Sequence, residues 1–338
     1  MLFSKMRVLQ IANYIEGVGG ISVQVKLLRD NLRNDGVACD ILSTKGTLFQ
    51  RIRSILKLIR IGKNYDIFHI HACSGRGFLP AIIGVSTGQL LKKRTILTYH
   101  GGGAEAFFKR RTRLIRYFLN RTSANIALSG FTGKVFDSYG IKYTIIPNIL
   151  ELDAGHFKVR EQIGPKFIST RTLSETYNIE CTFKAFKIIQ SKYPKASLTL
   201  LGDGPLRQSL ELFVRTNNLN NVEFVGQVSN SDIYDYLDKA DIMVSSSRFD
   251  NMPVSILEGM NAGLLVIASN VGGVPYMLRD GVTGLLFTVD KENELASQML
   301  FALEHQEECK LIIRNAQNET RKYSWDVIRN SLINLIQC

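Results

Sequence analysis

Residues 196–205 read "ASLTLLGDGP", an apolar run that ends in two glycines and a proline. A run of this kind bounded by a glycine turn is typical of a parallel strand that is buried on both faces. Proline is favoured in the first turn of a helix, so Pro205 is predicted to start one. The stretch therefore indicates a strand, a tight turn and a helix, the unit from which parallel sheets are built.

The same alternation of apolar run and amphipathic segment recurs along all 338 residues, a length that accommodates two domains. Two series of strands in succession predict an α/β chain with two doubly wound parallel sheets. The junction is expected within Pro147–Phe157, where proline, glycine and acids interrupt the pattern, and only helices are expected after Phe287. The predicted strands are "MRVLQIAN", "ACDILST", "YDIFHIHA", "RTILTYH", "NIALS" and "YTIIP", then "KFIST", "ASLTLLGDG", "VEFVG", "IMVSSS", "LLVIASN" and "GLLFT".

Composition argues against membrane-spanning, secreted and disulfide-stabilised classes of protein. No apolar run approaches the roughly 20 residues of a membrane span. The first 13 residues lead directly into a strand rather than into a secretory signal. No Cys-x-x-Cys pair occurs, which argues against a zinc site and for a reducing cytosol; the cysteines are Cys39, Cys73, Cys181, Cys309 and Cys338.

The charge is unevenly distributed between the two halves. Residues 1–150 hold 23 Lys and Arg against 7 Asp and Glu, a net charge of +16, whereas residues 151–338 carry −4. A basic first half predicts an anionic partner there. No nucleic-acid-binding motif is present, so that partner is not expected to be a nucleic acid.

Two basic segments supply much of this charge, "LFQRIRSILKLIRIGKN" at 48–64 and "FFKRRTRLIRYFLNR" at 107–121. The first predicts a helix with an apolar stripe of Ile52, Ile55, Leu56 and Ile59 and with Arg53, Lys57, Arg60 and Lys63 on its other face. Such a helix suits an anionic membrane surface. Alternatively, the stripe packs on the sheet and the basic face is merely solvated. The overall charge favours membrane contact.

Candidate site residues follow the strands, because open parallel sheets bind ligands at the carboxyl ends of their strands. Gly17, Gly19 and Gly20 precede a helix whose free N–H groups could bind an anion, or they form a plain turn; the spacing is not that of dinucleotide oxidoreductases. His100, followed by three glycines, could donate to a sugar hydroxyl or a phosphate.

His69 and His71 share one face of a predicted strand and could hold a metal. No third ligand follows at a suitable spacing, so no metal is expected.

In the second half, Arg171 ends the first strand, where a guanidinium can clamp a diphosphate or form a surface ion pair. The turn with Gly202 and Gly204 could lie beside a phosphate or serve packing alone.

Residues 247–263, "SRFDNMPVSILEGMNAG", place two acids across a loop and a helix. Pro253 is predicted at the first helical position, which leaves the N–H groups of the first turn free for phosphate. Glu258 lies about one and a half turns in and could accept from both hydroxyls of a ribose, while Asp250 could reach a sugar. Alternatively, Asp250 favours the helix dipole and Glu258 is solvated.

Taken together these elements resemble glycosyltransferase family 4, a large family of retaining enzymes with the GT-B fold. The resemblance covers nearly the whole chain. The motifs stand in the family's order: "GVGG", "DIFHIHA", "TYHGG", "STRTLSE", "LGDGPLR", an acid eight positions before Glu258, "NVGGVP" and "DGVTGLLF".

The resemblance implies two Rossmann-like domains facing across a cleft. It assigns 1–150 to the acceptor and membrane side, 151–322 to the nucleotide-sugar donor, and 323–338 to a helix that crosses back to the first domain. It implies that Arg171 stabilises the diphosphate and that His100 and Asp250 act at the donor sugar. The remaining donor-binding residues would be Gly19, Gly20, Gly202, Gly204, Asn251, Met252, Pro253, Val254 and Glu258.

Three positions depart from the family pattern. Thr176 stands where a second diphosphate-binding residue, a lysine, is often found; Asp250 replaces a longer Glu; and Tyr276 replaces an acid. Arg171 is therefore expected to neutralise more of the diphosphate charge than in other members.

The resemblance thus implies a retaining hexosyltransferase that needs neither a metal nor a cofactor. Its donor would be a UDP- or GDP-linked sugar and its acceptor a lipid-linked glycan in surface polysaccharide or glycolipid assembly. The enzyme would be cytoplasmic, on the inner face of the plasma membrane. The alternatives are a degenerate GT-B subunit that partners another transferase and a sugar-nucleotide epimerase or phosphorylase; for the phosphorylase no pyridoxal lysine is identified.

Overall fold

A computed structural model describes residues 6–17, 19–155, 157–229 and 232–337. Within these ranges every run predicted to be a strand contains one. The strands are β1 (Arg7–Ala12), β2 (Ala38–Ser43), β3 (Ile67–Ala72), β4 (Arg94–Tyr99), β5 (Ala124–Ala127), β6 (Thr144–Ile145), β7 (Lys166–Ser169), β8 (Ser197–Leu201), β9 (Val222–Gly226), β10 (Ile242–Ser245), β11 (Leu265–Ser269) and β12 (Leu285–Phe287).

Helices connect most of these strands, as parallel pairing requires. After β12 the described chain is helical, as predicted. The α-helices are α1 (Gly20–Asn34), α2 (Leu48–Gly62), α3 (Leu79–Leu90), α4 (Ala104–Arg110), α5 (Thr112–Leu119), α6 (Gly130–Ser138), α7 (Ile179–Lys192), α8 (Arg207–Thr216), α9 (Ile233–Leu237), α10 (Val254–Asn261), α11 (Glu292–Glu304), α12 (Gln306–Thr320) and α13 (Trp325–Gln337).

The strands form two six-stranded sheets, in the orders β2-β1-β3-β4-β5-β6 and β12-β11-β10-β7-β8-β9. Neighbouring strands pair in parallel throughout both sheets. Each sheet is doubly wound, because its strand order reverses beside its first strand, β1 or β7. The predicted fold class is confirmed. Ligand crevices are expected at these reversal points, outside the carboxyl ends of the strands.

The chain divides into two compact units. The first comprises residues up to Ile149 together with the segment from Trp325, and the second comprises Leu150–Ser324. The second has its own core, in which Phe167, Phe183 and Phe186 are fully buried. Burial of each such ring contributes about 1.5–3 kcal/mol.

Helix α13 is held within the first unit by apolar and polar contacts. Its residues Ile328, Leu332 and Ile336 belong to the same buried cluster as strands β1 and β3. Arg94, at the start of β4, donates from Nη1 to the carbonyl of Ile336 at 2.8 Å. No helix in the described ranges is long and apolar enough to cross a membrane.

A buried arginine fixes the position of α10 in the second unit. Arg160 donates from Nη1 to the carbonyl oxygens of Ala262 and Gly263 at 2.9 and 2.7 Å, just beyond the end of that helix. Its Nε donates to the carbonyl of Ala240 at 3.0 Å, which ties the helix end to the segment before β10.

Two predicted helix starts are wrong by one or two residues. Pro253 was predicted at the first helical position, but α10 begins at Val254 and Pro253 lies just before it with an extended ψ of 116°. Pro205 lies in a turn two residues before α8. In both places the proline ring fixes only φ, so ψ remains free to turn the chain before the helix begins.

Candidate active site

Three loops meet at the carboxyl edge of the second sheet, because β10, β7 and β8 are neighbours there. The loop after β7 carries Arg171, and the loop after β10 carries Asp250. Although 79 residues apart in sequence, these side chains form an ion pair with 2.7 Å between Arg171 Nη2 and Asp250 Oδ2. Their side chains are only 10% and 16% exposed, so the pair is partly shielded from water.

Further contacts orient the Arg171 guanidinium. Its Nε and Nη2 donate to Ser245 Oγ at 3.3 and 3.2 Å, and its Cζ lies 5.1 Å from the ring centroid of Tyr177. Asp250 in turn accepts from the Asn251 N–H through Oδ1 at 3.0 Å. The guanidinium is therefore pre-organised, and an incoming anion would compete with Asp250 for it.

The predicted sugar contact of Asp250 stays a prediction. In the structure the shorter acid bonds Arg171, with both of its carboxylate oxygens engaged inside the protein.

The glycines after β8 serve close packing between the loops. A Cβ on Gly202 would lie 2.4 Å from the carbonyl oxygen of Arg171, and one on Gly204 would lie 2.4 Å from that of Leu173. The Gly202 N–H donates to the carbonyl of Gly226 and the Gly204 N–H donates to the Asp203 carboxylate, both at 2.7 Å. The structure thus accounts for both glycines by packing, and their predicted donor contacts stay a prediction.

Glu258 lies in the second turn of α10 and is partly buried. Burial raises the pKa of its carboxyl group to about 7, while the nearby charge of Arg171 lowers it. The alternative of a freely solvated Glu258 is therefore wrong. Near neutral pH this carboxyl group is poised between its neutral and ionised forms, and hydroxyl donors from a ligand would favour the ionised form.

Polar groups at the start of α10 and at the end of β7 are available to bind a ligand. No side chain in the described part of the chain caps the start of α10, at Pro253 and Val254. The hydroxyls of Ser255, Ser169 and Thr170 are buried and have no hydrogen-bond partner among the described residues. Unpaired buried hydroxyls cost free energy, so a polar ligand or water is expected at this edge. Asn251 and Met252 occupy the same loop and are buried.

In the first unit, His100 directly follows β4 and lies beside two other histidines. His100 Nε2 and His71 Nδ1 are 3.1 Å apart and share one hydrogen bond. The rings of His71 and His69 stack with 4.5 Å between centroids, and His69 Nε2 bonds Thr98 Oγ1 at 2.8 Å.

Burial keeps these histidines neutral. It lowers the pKa of His69 to about 3 and that of His100 to about 4, and it holds that of His71 well below its usual range. At neutral pH His100 is thus a neutral hydrogen-bonding group. No cluster of three or more His, Cys, Asp or Glu in the described ranges could hold a metal ion.

Gly19 and Gly20 stand at the start of α1. Both are exposed, and a Cβ added to either would meet no atom within 4 Å. Gly19 has φ +79°, which favours glycine. Among the described residues no side chain caps this helix, so its first N–H groups have no side-chain acceptor there, as a phosphate contact would require.

Sequence reasoning missed three residues of the second unit. Ser245 and Tyr177 contact Arg171. Tyr234 lies near Glu258: burial raises the pKa of the Tyr234 hydroxyl most, and the charge of the Glu258 carboxylate raises it further. The run "SSS" at 245–247, where β10 ends, marks the position of Ser245 at a strand end. No sequence signal identifies Tyr234, because its proximity to Glu258 comes from the packing of α9 near α10.

Replacing Glu258 by glutamine is expected to raise stability at pH 8 by about 1–3 kcal/mol. The carboxyl pKa is raised on folding from 4.5 to about 7. Its stabilising contribution is therefore complete below pH 4.5 and is lost as the pH rises through 7. Glutamine does not titrate, so the advantage of Glu258→Gln should disappear at pH 4.5. Calorimetric melting at the two pH values measures this, and an equal effect at both would contradict the proposed ionisation.

Comparison with known proteins shows the family. The sequence model described as "Glycosyltransferase Family 4" matches residues 18–154, and that described as "Glycosyl transferases group 1" matches residues 156–319. Together they span most of both units.

Individual relatives are distant but cover similar lengths. The chain is 25% identical over 360 residues to an uncharacterised glycosyltransferase of Methanocaldococcus jannaschii, covering 95% of each chain. It is 24% identical over 343 residues to the alpha-monoglucosyldiacylglycerol synthase of Streptococcus pneumoniae, covering 86% of this chain and 76% of that one.

Among solved structures, the Anabaena protein HepE in complex with UDP and glucose superposes with a TM-score of 0.80 at 18% identity. The match covers 98% of this chain and 99% of HepE, which shows a shared fold. The order of motifs, the two doubly wound sheets and the two sequence-model matches agree. The chain belongs to the family 4 type of glycosyltransferases, with the GT-B fold.

Proposed function

We propose that this glycosyltransferase takes a sugar from a uridine or guanosine diphosphate sugar and transfers it, with retention of configuration, to a lipid-linked acceptor. One observation carries the proposal. A partly shielded Arg171, held by Asp250 and Ser245, lies near the poised acid Glu258 at the reversal point of the second sheet. The positive charge of Arg171 suits a diphosphate, and the carboxyl group of Glu258 suits the hydroxyl donors of a ribose.

Arg171 supplies the main positive charge for the leaving group. As the bond between the sugar and the diphosphate breaks, negative charge accumulates on the phosphate oxygens, and a fixed guanidinium stabilises it without reorganising. Thr176 offers no second charge, so Arg171 carries more of this task. The start of α10, which no described side chain caps, provides N–H groups for the phosphates.

Retention is proposed to proceed on one face of the sugar. Asp250 is engaged by Arg171 and the Asn251 N–H, which makes it a poor nucleophile. The bond from the anomeric carbon to the phosphate oxygen breaks, and the acceptor oxygen bonds the same carbon from the same side. The acceptor proton passes to the departing phosphate, so the reaction needs no protein nucleophile.

A neutral His100 suits this reaction. The transition state of glycosyl transfer is cationic at the sugar. A neutral imidazole can donate to a sugar hydroxyl without placing a second positive charge beside it, and the pKa of about 4 keeps His100 neutral at physiological pH.

Relatives support the choice of substrates. HepE binds UDP and glucose, and the pneumococcal relative is named for synthesis of a glucosylated diacylglycerol. A nucleotide-sugar donor and a lipid acceptor are therefore proposed here too, without a metal or cofactor.

Product analysis tests the proposal. The protein is incubated with UDP- and GDP-sugars and detergent-dispersed diacylglycerol or polyprenyl diphosphate glycans, with and without EDTA. A glycolipid that keeps the donor's anomeric configuration, formed equally with EDTA, is expected. An inverted product would overturn retention. An altered nucleotide sugar without acceptor would indicate an epimerase, and an inert chain that binds no nucleotide would indicate a partner subunit.

A further inference from the structure

Helix α2 is well formed up to its first residue. Thr47 precedes it, and a reciprocal pair of hydrogen bonds closes its first turn: the Thr47 N–H donates to Gln50 Oε1 at 2.7 Å and the Gln50 N–H to Thr47 Oγ1 at 3.4 Å. This arrangement satisfies two N–H groups that helix ends otherwise leave free. The side chains that begin the helix, Leu48 and Phe49, are therefore presented on an ordered turn.

The apolar side of α2 is only partly used by the core. Ile55 and Ile61 pack against the core of the first unit, and Leu58 and Gly62 are buried. Four other large apolar side chains remain exposed: Leu48 at 77%, Phe49 at 68%, Ile52 at 46% and Leu56 at 62%. We call these four residues the α2 stripe.

The single stripe predicted from the sequence is thus wrong in its membership. Ile55 faces the core, whereas Ile52 and Leu56 face outward beside Leu48 and Phe49. The alternative in which the whole predicted stripe packs on the sheet is also wrong. Monomeric proteins rarely expose contiguous apolar side chains without a partner for them.

Basic side chains adjoin the α2 stripe. Arg53, Lys57 and Arg60 are exposed and line an open groove that also includes Leu56. Positions 53, 57 and 60 follow the helical spacing of four and three residues, so the three cations form one row. Residues 41–65 hold six Lys and Arg and no Asp or Glu. The row therefore has no acidic neighbour in sequence to neutralise it.

We propose that α2 is the membrane-docking element of the chain and that its occupant is an anionic phospholipid surface. The α2 stripe enters the boundary between headgroups and acyl chains, and the row of Arg53, Lys57 and Arg60 binds the lipid phosphates. Charge complementarity decides between occupants, since a second copy that paired through its own α2 would bring a like-charged surface. Each cation near an anionic surface contributes about 1 kcal/mol, and buried apolar area adds to it.

The inference deepens the proposed function, because it places the enzyme where a lipid-linked acceptor resides. The inference rests on the proposed function only for the purpose of membrane docking, which is to bring the enzyme to its acceptor. Vesicle binding is measured without donor or acceptor, so it can fail while transfer to a detergent-dispersed acceptor succeeds, or hold while transfer fails.

Co-sedimentation tests the surface. The full chain is mixed with vesicles of phosphatidylcholine alone or with about 30% phosphatidylglycerol, whose negative surface attracts basic helices. Tight binding only to the anionic vesicles is expected. The variant F49S/I52S/L56S and the variant R53Q/K57Q/R60Q should each bind at least about 10-fold more weakly. A control, L212S/L311S, changes exposed apolar residues of α8 and α12 and should bind like the wild type.

Lipid quenching separates insertion from simple charge attraction. Phe49→Trp should be quenched by phospholipids brominated on their acyl chains, whereas Leu212→Trp should show only the background of Trp325. Equal binding to neutral and anionic vesicles, no binding, full binding by the F49S/I52S/L56S variant, or no quenching at position 49 would each overturn the proposal.

Discussion

Replacing Arg171 by alanine is expected to lower kcat for glycosyl transfer by about 10²–10³-fold. The ion pair with Asp250 and the bonds to Ser245 hold this guanidinium in place before any ligand arrives. Thr176 provides no second cation to take over its charge. Release of nucleoside diphosphate from the nucleotide sugar in the presence of acceptor measures the rate.

Two further variants make this result specific. Arg171→Lys keeps the charge but loses the two-pronged geometry, so an intermediate rate is expected. Arg279→Ala removes an exposed arginine that forms a long ion pair with Glu319 at 3.9 Å, and it should leave kcat unchanged. A wild-type rate in Arg171→Ala, or an equal loss in Arg279→Ala, would remove Arg171 from the proposed mechanism.

Replacing Glu258 by alanine is expected to weaken binding of the nucleoside diphosphate by about 100-fold. Two ribose hydroxyls donating to one carboxylate form charge-assisted hydrogen bonds of about 1.5–3 kcal/mol each, of which part is repaid by water in the variant. A net loss of about 3 kcal/mol corresponds to this factor. Titration calorimetry with the preferred nucleotide gives the affinity directly.

The same experiment carries an internal check. In the ligand-free protein the carboxyl group of Glu258 has a pKa of about 7. Nucleotide binding that favours its ionised form should therefore release protons near neutral pH. The observed enthalpy should then depend more strongly on the buffer's heat of ionisation in the wild type than in Glu258→Ala. The control Glu180→Ala removes an exposed acid on α7 that pairs with Lys184, and it should bind nucleotide normally. Unchanged affinity in Glu258→Ala would place the ribose elsewhere.

Much of the fold could be predicted because parallel strands buried on both faces read as continuous apolar runs. The run at 196–205, for example, contains β8 and its glycine turn. Candidate residues such as Arg171 could be found because ligands of such sheets collect at strand ends, which are visible in sequence as the end of each run.

Partnerships across the sheet could not be predicted. The bond between Arg171 and Asp250 depends on β10 lying beside β7, and sequence order does not reveal strand order. Helical periodicity likewise could not show which of two adjacent apolar sides of α2 faces the core: Ile55 does and Leu56 does not. The helix start predicted at Pro253 was also wrong, because the proline ring fixes φ and leaves ψ free.

The central claim is that the second unit binds a nucleoside diphosphate through Arg171 and Glu258. Thermal melting of the wild type with UDP, GDP, dTDP and ADP, beside uridine, guanosine and inorganic phosphate, tests it most directly. At a concentration of about 100 times its dissociation constant, the preferred diphosphate should stabilise the folded protein by about 2.7 kcal/mol. The melting temperature should then rise by about 5–10 °C. Nucleosides and phosphate alone should give no shift. The claim is contradicted if no diphosphate shifts the melting temperature, or if Glu258→Ala and Arg171→Ala shift as much as the wild type.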